Sequence, residues 1–461
     1  MNNVNLKTML KTTLKNKDNK NLFSNIISAF VIKGVSLCIS VFSMPLYMKY
    51  FDNNTALGLW YTLLSIISWI LICDLGLGNG LRNKLTKALV EKDTVLCKKL
   101  ISSTYAILSI FIIFVLVIGI IVIPQIDLND FFNVSSQIVS KIALQYSLMI
   151  LFVGICCSFV LKVINSIIYA LQKSSLNNFL TLVTSVIPLI FIALYKSNSI
   201  GKNLILLSCV HVFAVNLPLL LATVFFFFHG RLKTCKPSFK YIDKQTSRHI
   251  FSMGMAFFFT QILFMLLINT NEIIITKIYS SEFVVEYNIY FKLFTVIGSL
   301  YMLALTPVWS KVTKDLAEKK YSTLIKTNKV LLAIALLASV TEFLIIPFLQ
   351  WIINIWLGDE AITVNYVTAL IFAFYGSVYI LNVVLTTIAN GIGMLKTQIV
   401  FYGIGVIFKI PIIRLFANLT NNWEIVIFYN AVVLLFFCIF QHFWISHLLS
   451  RLQKKKEILF K

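Results

Sequence analysis

The chain has 461 residues, 59% of them hydrophobic and only 13% charged, with a mean hydropathy of +0.87; soluble domains average roughly 45–50% apolar and 25% charged residues, so a soluble globular fold is excluded. Its 40 Lys and Arg against 18 Asp and Glu give a formal net charge of +22. These cations fall in short stretches between apolar runs of membrane-crossing length, which points to anionic lipid headgroups and membrane orientation and not to nucleic acid.

In chain order, residues 1–22 form a basic tail in which Leu6, Leu10 and Leu14 share one helical face among lysines. That pattern suits a helix lying on the inner leaflet and equally a frayed tail. Windows of about 19–20 residues, the length that crosses roughly 30 Å of hydrocarbon, then mark spans. Twelve are expected, near 23–48, 58–80, 101–124, 142–170, 175–195, 203–229, 249–277, 285–309, 329–350, 361–390, 397–417 and 423–447. The first is too long for a signal-peptide core and no A-x-A site follows it, so it is read as retained.

Orientation follows from Lys and Arg in alternate connections. The tail before span one is basic, as are the loops after spans two (Arg82 to Lys99), six (Arg231 to Arg248) and eight (Lys311 to Lys329), whereas 124–137 and 356–366 hold no Lys or Arg. Both termini are therefore expected on the cytoplasmic side. Eight cysteines show no C-x-x-C pairing, and neither a disulfide framework, a metal site nor a cofactor is indicated.

An internal repeat organises the chain. A shift of 227 residues, the distance from Lys84 to Lys311, lays "KLTKALVEK" (84–92) on "KVTKDLAEK" (311–319) with six identities. The same shift superposes spans one to three on seven to nine. Six spans per repeat leave both halves facing the same way, the arrangement of parallel repeats. The expected fold class is an all-α membrane protein of about twelve transmembrane helices, in two six-helix bundles related by a parallel repeat with a central cavity between them. Its expected domains are a cytoplasmic amphipathic tail (1–22), a first bundle (23–229), a cytoplasmic linker (230–248), a second bundle (249–450) and a basic tail (451–461).

The stretch "CDLGLGNGLRNKLTKAL" (73–89) ends span two at the cytoplasmic face. Gly76, Gly78 and Gly80 permit close helix approach or a break there, and Asn79, Arg82 and Asn83 can satisfy freed backbone groups. Asp74 lies two turns from Arg82 on the same face, suited to capping or pairing. Neither G-x-x-x-x-G-K-[ST] nor G-x-G-x-x-G is present, so the glycines are not read as a phosphate loop.

These residues, with "PLYMKYF" ending the first span and "LGLWYTL" opening the second, resemble the bacterial polysaccharide exporters, in particular the O-antigen flippases. Those belong to the superfamily that also holds multidrug extruders and peptidoglycan-precursor flippases. The resemblance is most specific at 44–92 and covers the chain through its 6+6 layout. It implies a non-enzymatic carrier in the bacterial cytoplasmic (inner) membrane that moves undecaprenyl-pyrophosphate-linked oligosaccharide to the outer leaflet. The partners it implies are that lipid, membrane lipids, a polysaccharide polymerase and chain-length proteins.

Ionisable groups within spans cost at least ~2.5–3.5 kcal/mol and tend to face a cavity or a partner. Lys33, Lys162, Lys292 and Lys409 lie well inside spans and, with Arg414, outnumber the intramembrane anions Glu272 and Glu342. A positive cleft suits a pyrophosphate, which lysine contacts as a point charge. Lys162 and Arg414 could instead snorkel, and Lys409 could pair inside its bundle. The resemblance places the first, second, seventh and eighth spans around the cavity, which favours Lys33 and Lys292. Glu272 and Glu342 are candidates for proton or sodium coupling, or for buried pairing with a lysine. Trp60, Trp351, Trp356 and Trp423 fall at outer span ends and Trp309 and Trp444 at inner ends, as belts do. Only Trp69 is well inside, suited to packing or to stacking on a sugar.

The expected mechanism is alternating access by rocking of two bundles. Two rivals are a multidrug extruder, which would favour an acidic cleft, and a membrane polymerase or ligase, which would carry a large outer catalytic loop. No G-x-S-x-G or H-E-x-x-H motif supports the enzyme.

Overall fold

The structure, a computed structural model of the chain, describes residues 17–72, 76–132, 134–229, 232–279, 282–357, 361–420 and 422–459. Leu6, Leu10, Leu14 and Asp74 lie outside these residues. Among the described residues there is no strand, and ten helical stretches are long and apolar enough to cross a membrane. Helices are what such runs must form, because lipid offers no partner for a backbone amide or carbonyl. Polar residues at the ends complete the accounting: Asp93 accepts from Leu96 N at 2.8 Å, and Asn365 from Val367 N at 2.9 Å.

The chain divides into two compact units, Met1–Met255 and Ala256–Lys461. The first holds α1 (Lys17–Phe51), α2 (Asn54–Ile72), α3 (Leu77–Val90), α4 (Thr94–Val122), α5 (Lys141–Leu161), α6 (Val163–Ala170), α7 (Ser174–Leu194) and α8 (Ile200–Val224). Next comes α9 (Lys244–Asn269), whose first turns pack with this unit and within which the division falls. The second continues with α10 (Asn271–Ile278), α11 (Glu282–Ala317), α12 (Tyr321–Leu344), α13 (Leu349–Leu357), α14 (Tyr366–Ile392), α15 (Lys396–Thr420) and α16 (Ile425–Leu459).

In the first unit α5 packs along α8, α1 along α7, and α3 against α4 and α6. One part of its core gathers Tyr50, Phe51, Trp60, Leu144 and Leu204; another gathers Leu77, Leu81, Leu85, Ile164, Ile167 and Phe226. In the second unit α14 is central, contacting α11, α12 and α16. Its most apolar window is 67% buried, whereas that of α4 is 11% buried at a hydropathy of 3.5, so α14 is a core helix and α4 exposes an apolar surface of the kind that suits lipid.

The 227-residue shift is matched by the element boundaries. It carries α1 (17–51) onto the pair α9–α10 (244–278), the end of α3 at Val90 onto that of α11 at Ala317, and the start of α4 at Thr94 onto that of α12 at Tyr321. The breaks differ: α2 and α3 are separate where α11 is continuous, and α1 is continuous where α9 ends and α10 begins. The stretches read as basic loops after spans two and eight are largely helical, with Leu85 and Ala88 buried in the first and Val312 in the second. Both terminate alike. Lys92 N donates to Leu89 O and Asp93 N to Ala88 O; 227 residues on, Lys319 N donates to Leu316 O and Lys320 N to Asp315 O. Lys92 and Lys319 take φ of 57° and 56°, the left-handed C-terminal cap. Lys87–Glu91 and Lys314–Glu318 each stand 3.8 Å apart.

Trp60 and Trp423, expected in an interfacial belt, are core residues. Trp60 is 0% exposed beside Phe51 and His211, and Trp423 is 3% exposed among Phe283, Tyr287 and Phe372. Trp351, Trp356 and Trp444 are exposed, as belt residues are.

Candidate functional site

The glycine-rich segment is a tightly packed helix start. Gly76 has φ 61° and its carbonyl accepts from Asn79 N and Gly80 N, both at 3.1 Å. A side chain there would be strained. From Leu77 the buried positions Leu77, Leu81, Leu85 and Ala88 follow one helical face. A Cβ at Gly78 would stand 2.7 Å from Ser166 Oγ, and one at Gly80 would stand 3.3 Å from the backbone nitrogen of Gly254. The glycines thus let α3 approach α6 and the first turns of α9.

Arg82 is a core residue of the first unit, and its expected partner Asp74 lies outside the described residues. Arg82 is 3% exposed, and its guanidinium lies 4.4 Å from the ring centre of Tyr169 on α6, a cation–π contact. Spacing alone could not show this, because Tyr169 is distant in sequence.

The lysines expected to bind substrate separate into different environments. Lys292 is exposed on α11, within the membrane-crossing stretch Glu286–Ala317. Lys33 lies on α1 and Trp69 on α2. Lys162 stands at the junction of α5 and α6, where its N–H donates to Ser158 O at 2.8 Å. Arg414 is exposed on α15.

Lys409 is 2% exposed, and its ammonium donates to Leu267 O at 2.5 Å, Asn271 Oδ1 at 2.7 Å and Thr270 Oγ1 at 2.9 Å. An ammonium has three protons, so these acceptors leave none for a substrate. Asn430 Nδ2 donates to the same Asn271 oxygen at 2.8 Å, and Asn271 Nδ2 to Tyr287 Oη at 3.3 Å. Thr270, Asn271 and Asn430 were not singled out from sequence. The run Asn269-Thr270-Asn271 inside an apolar span was the signal that could have found two of them.

The two acidic candidates differ as well. Glu272, in the first turn of α10, is exposed. Glu342 on α12 is fully buried; neither carboxyl oxygen has a hydrogen-bond partner, and its carboxyl carbon lies 3.1 Å from where a Cβ of Gly376 on α14 would stand. Sequence reading also passed over a buried pair on α11: Lys311 Nζ meets Asp315 Oδ2 at 2.5 Å. Its i,i+4 spacing was visible. No cluster of three or more His, Cys, Asp or Glu side chains suited to a metal occurs among the described residues.

Long apolar helices in two units that repeat one order define a multi-pass membrane transporter fold. The chain is similar to a solved MATE protein in its bent conformation, with a TM-score of 0.75 at 12% identity over 96% of this chain and 98% of that one. A multidrug resistance MATE family transporter of the MOP superfamily, solved outward-facing, gives 0.72 at 13% identity with the same coverage. The Vibrio cholerae MATE transporter VcmN in its bent form gives 0.67 at 12% identity over 94% of this chain and 99% of that one. At such identities the likeness is one of fold.

In sequence, the chain belongs to the polysaccharide biosynthesis protein family, whose model matches residues 66–313, just over half its length. A putative O-antigen export protein from Yersinia pseudotuberculosis is 22% identical over 379 residues, 80% of this chain and 83% of that protein.

Proposed function

We propose that this protein is a flippase of the bacterial cytoplasmic membrane. It moves an undecaprenyl-pyrophosphate-linked oligosaccharide, an O-antigen or similar repeat unit, from the inner to the outer leaflet. The observation that carries the reading is membership of the polysaccharide biosynthesis family on a MOP-superfamily fold. The residues support it through charge: Lys292 is exposed along a membrane-crossing helix. A cation so placed requires water or an anion beside it.

In this mechanism the pyrophosphate and sugars enter a polar cleft while the polyprenyl tail stays in lipid. Bare hydrocarbon would leave each sugar hydroxyl without a partner. The carrier then opens outward by alternating access. Lys292 and Lys33 hold the pyrophosphate, Trp69 stacks on a sugar, and Glu272 and Glu342 remain the candidate coupling carboxyls. Lys162 is a secondary contact, and both termini face the cytoplasm.

The test is reconstitution in vesicles with lipid-linked oligosaccharide, following its transfer between leaflets. Lys292→Ala and Lys33→Ala are each expected to slow transfer roughly tenfold or more, the value of one lost charge-assisted contact, with normal insertion. Wild-type rates in both variants would remove the lysines from the mechanism. The solved neighbours keep one rival in play, since one is a multidrug resistance transporter. Efflux of a cationic dye without oligosaccharide transfer would favour it.

A further inference from the structure

The interruption between α9 and α10 falls at Thr270, in the middle of an apolar stretch with no proline or glycine to cause it. A helix end in a membrane leaves carbonyl oxygens of its last turn without amides, and these need a partner from elsewhere in the fold. Lys409 of α15 supplies it. Its ammonium is ringed by a main-chain carbonyl (Leu267 O), a hydroxyl (Thr270 Oγ1) and an amide oxygen (Asn271 Oδ1), all within 2.9 Å.

Asn271 and Asn430, both 0% exposed, complete the wall, and Asn430 Oδ1 is a further buried oxygen without a hydrogen-bond partner. No carboxylate takes part. A ring of neutral oxygens at a discontinuous membrane helix is the chemistry by which proteins hold a small hard cation. Here a covalently tethered ammonium occupies the ring.

We propose that this ring is a monovalent-cation site occupied from within by Lys409, which acts as a positioning residue holding α9 and α10 at their break. Wild-type protein then needs no dissolved cation at this place. Removal of the lysine side chain converts the ring into a site for a small cation, with sodium and methylammonium as probes. The inference rests on the geometry inside the second unit and not on the substrate assigned above.

The experiment is thermal unfolding of the purified full-length chain in detergent, in chloride salts of sodium, potassium, methylammonium and tetramethylammonium at equal ionic strength. Wild type is expected to melt at one temperature in all four. Lys409→Ala is expected to melt roughly 5–10 °C lower in tetramethylammonium, which is too large to enter. Methylammonium or sodium is expected to restore at least half of that loss.

A Lys409→Ala melting temperature equal to wild type, or a fall that small cations restore no better than tetramethylammonium does, would overturn the proposal. If Lys409→Ala yields no folded protein, Thr270→Val in the otherwise unaltered chain removes one oxygen and keeps the tethered ammonium. A lower melting temperature that stays indifferent to the four salts then supports the proposal, and an unchanged one overturns it.

Discussion

At the scale of single residues, identity mattered less than partners. Lys292 and Lys409 look alike in the sequence, each a lone cation in an apolar run. One is exposed on α11, and the other is consumed by three oxygens at a helix break. Gly76, Gly78 and Gly80 also look interchangeable, yet only Gly76 has a positive φ, at 61°. Gly76→Val is therefore expected to cost about 1–2 kcal/mol. A thermal melt indistinguishable from wild type would show that the left-handed backbone at that position is not needed.

At the scale of elements, the two repeats make the same helix end from the stretch that matches between them. Lys92 and Lys319 both sit at left-handed C-terminal caps, where a residue with a Cβ is strained and glycine is not. Lys92→Gly and Lys319→Gly are each expected to raise stability by about 0.5–1 kcal/mol. The check is whether the two melting shifts agree in sign and size, as a repeated structure requires.

The start of α9 carries a pH signature. Asp243 accepts from Thr246 Oγ1 at 2.6 Å and Thr246 N at 2.8 Å, and these bonds hold its carboxyl below the ordinary carboxylate range. Because the folded value is the depressed one, this contribution is full above the unfolded value and is lost as pH falls through the folded value. Asp243→Asn is expected to lower stability at neutral pH and to leave the acid end nearly unchanged, which flattens the acid limb of the stability profile. Melts across acidic pH test this, and an unaltered acid limb would remove Asp243 from it.

At the scale of the whole molecule, the proposed cargo is an anion leaving a negative interior, which gains roughly 2.3 kcal/mol per charge per 100 mV. Transfer of lipid-linked oligosaccharide in vesicles is expected to quicken when an inside-negative potential is imposed and to slow when an ionophore collapses it. A rate indifferent to potential would shift the driving force to ion exchange, for which Glu272 and Glu342 are the carboxyls to change first.

The sequence by itself determined that this is a helical membrane protein, roughly where its spans lie, that it is a tandem repeat, and which family it resembles. Each of those rests on local or periodic information: the length of an apolar run, the spacing of lysines, a nine-residue match at a fixed shift. Only the tertiary structure decided that Arg82 lies over Tyr169, that Trp60 and Trp423 are buried, and that Lys409 closes a helix break formed by residues more than a hundred positions away. Burial and hydrogen bonding belong to pairs of residues, and a lysine's neighbours across a bundle leave no mark on the sequence around it.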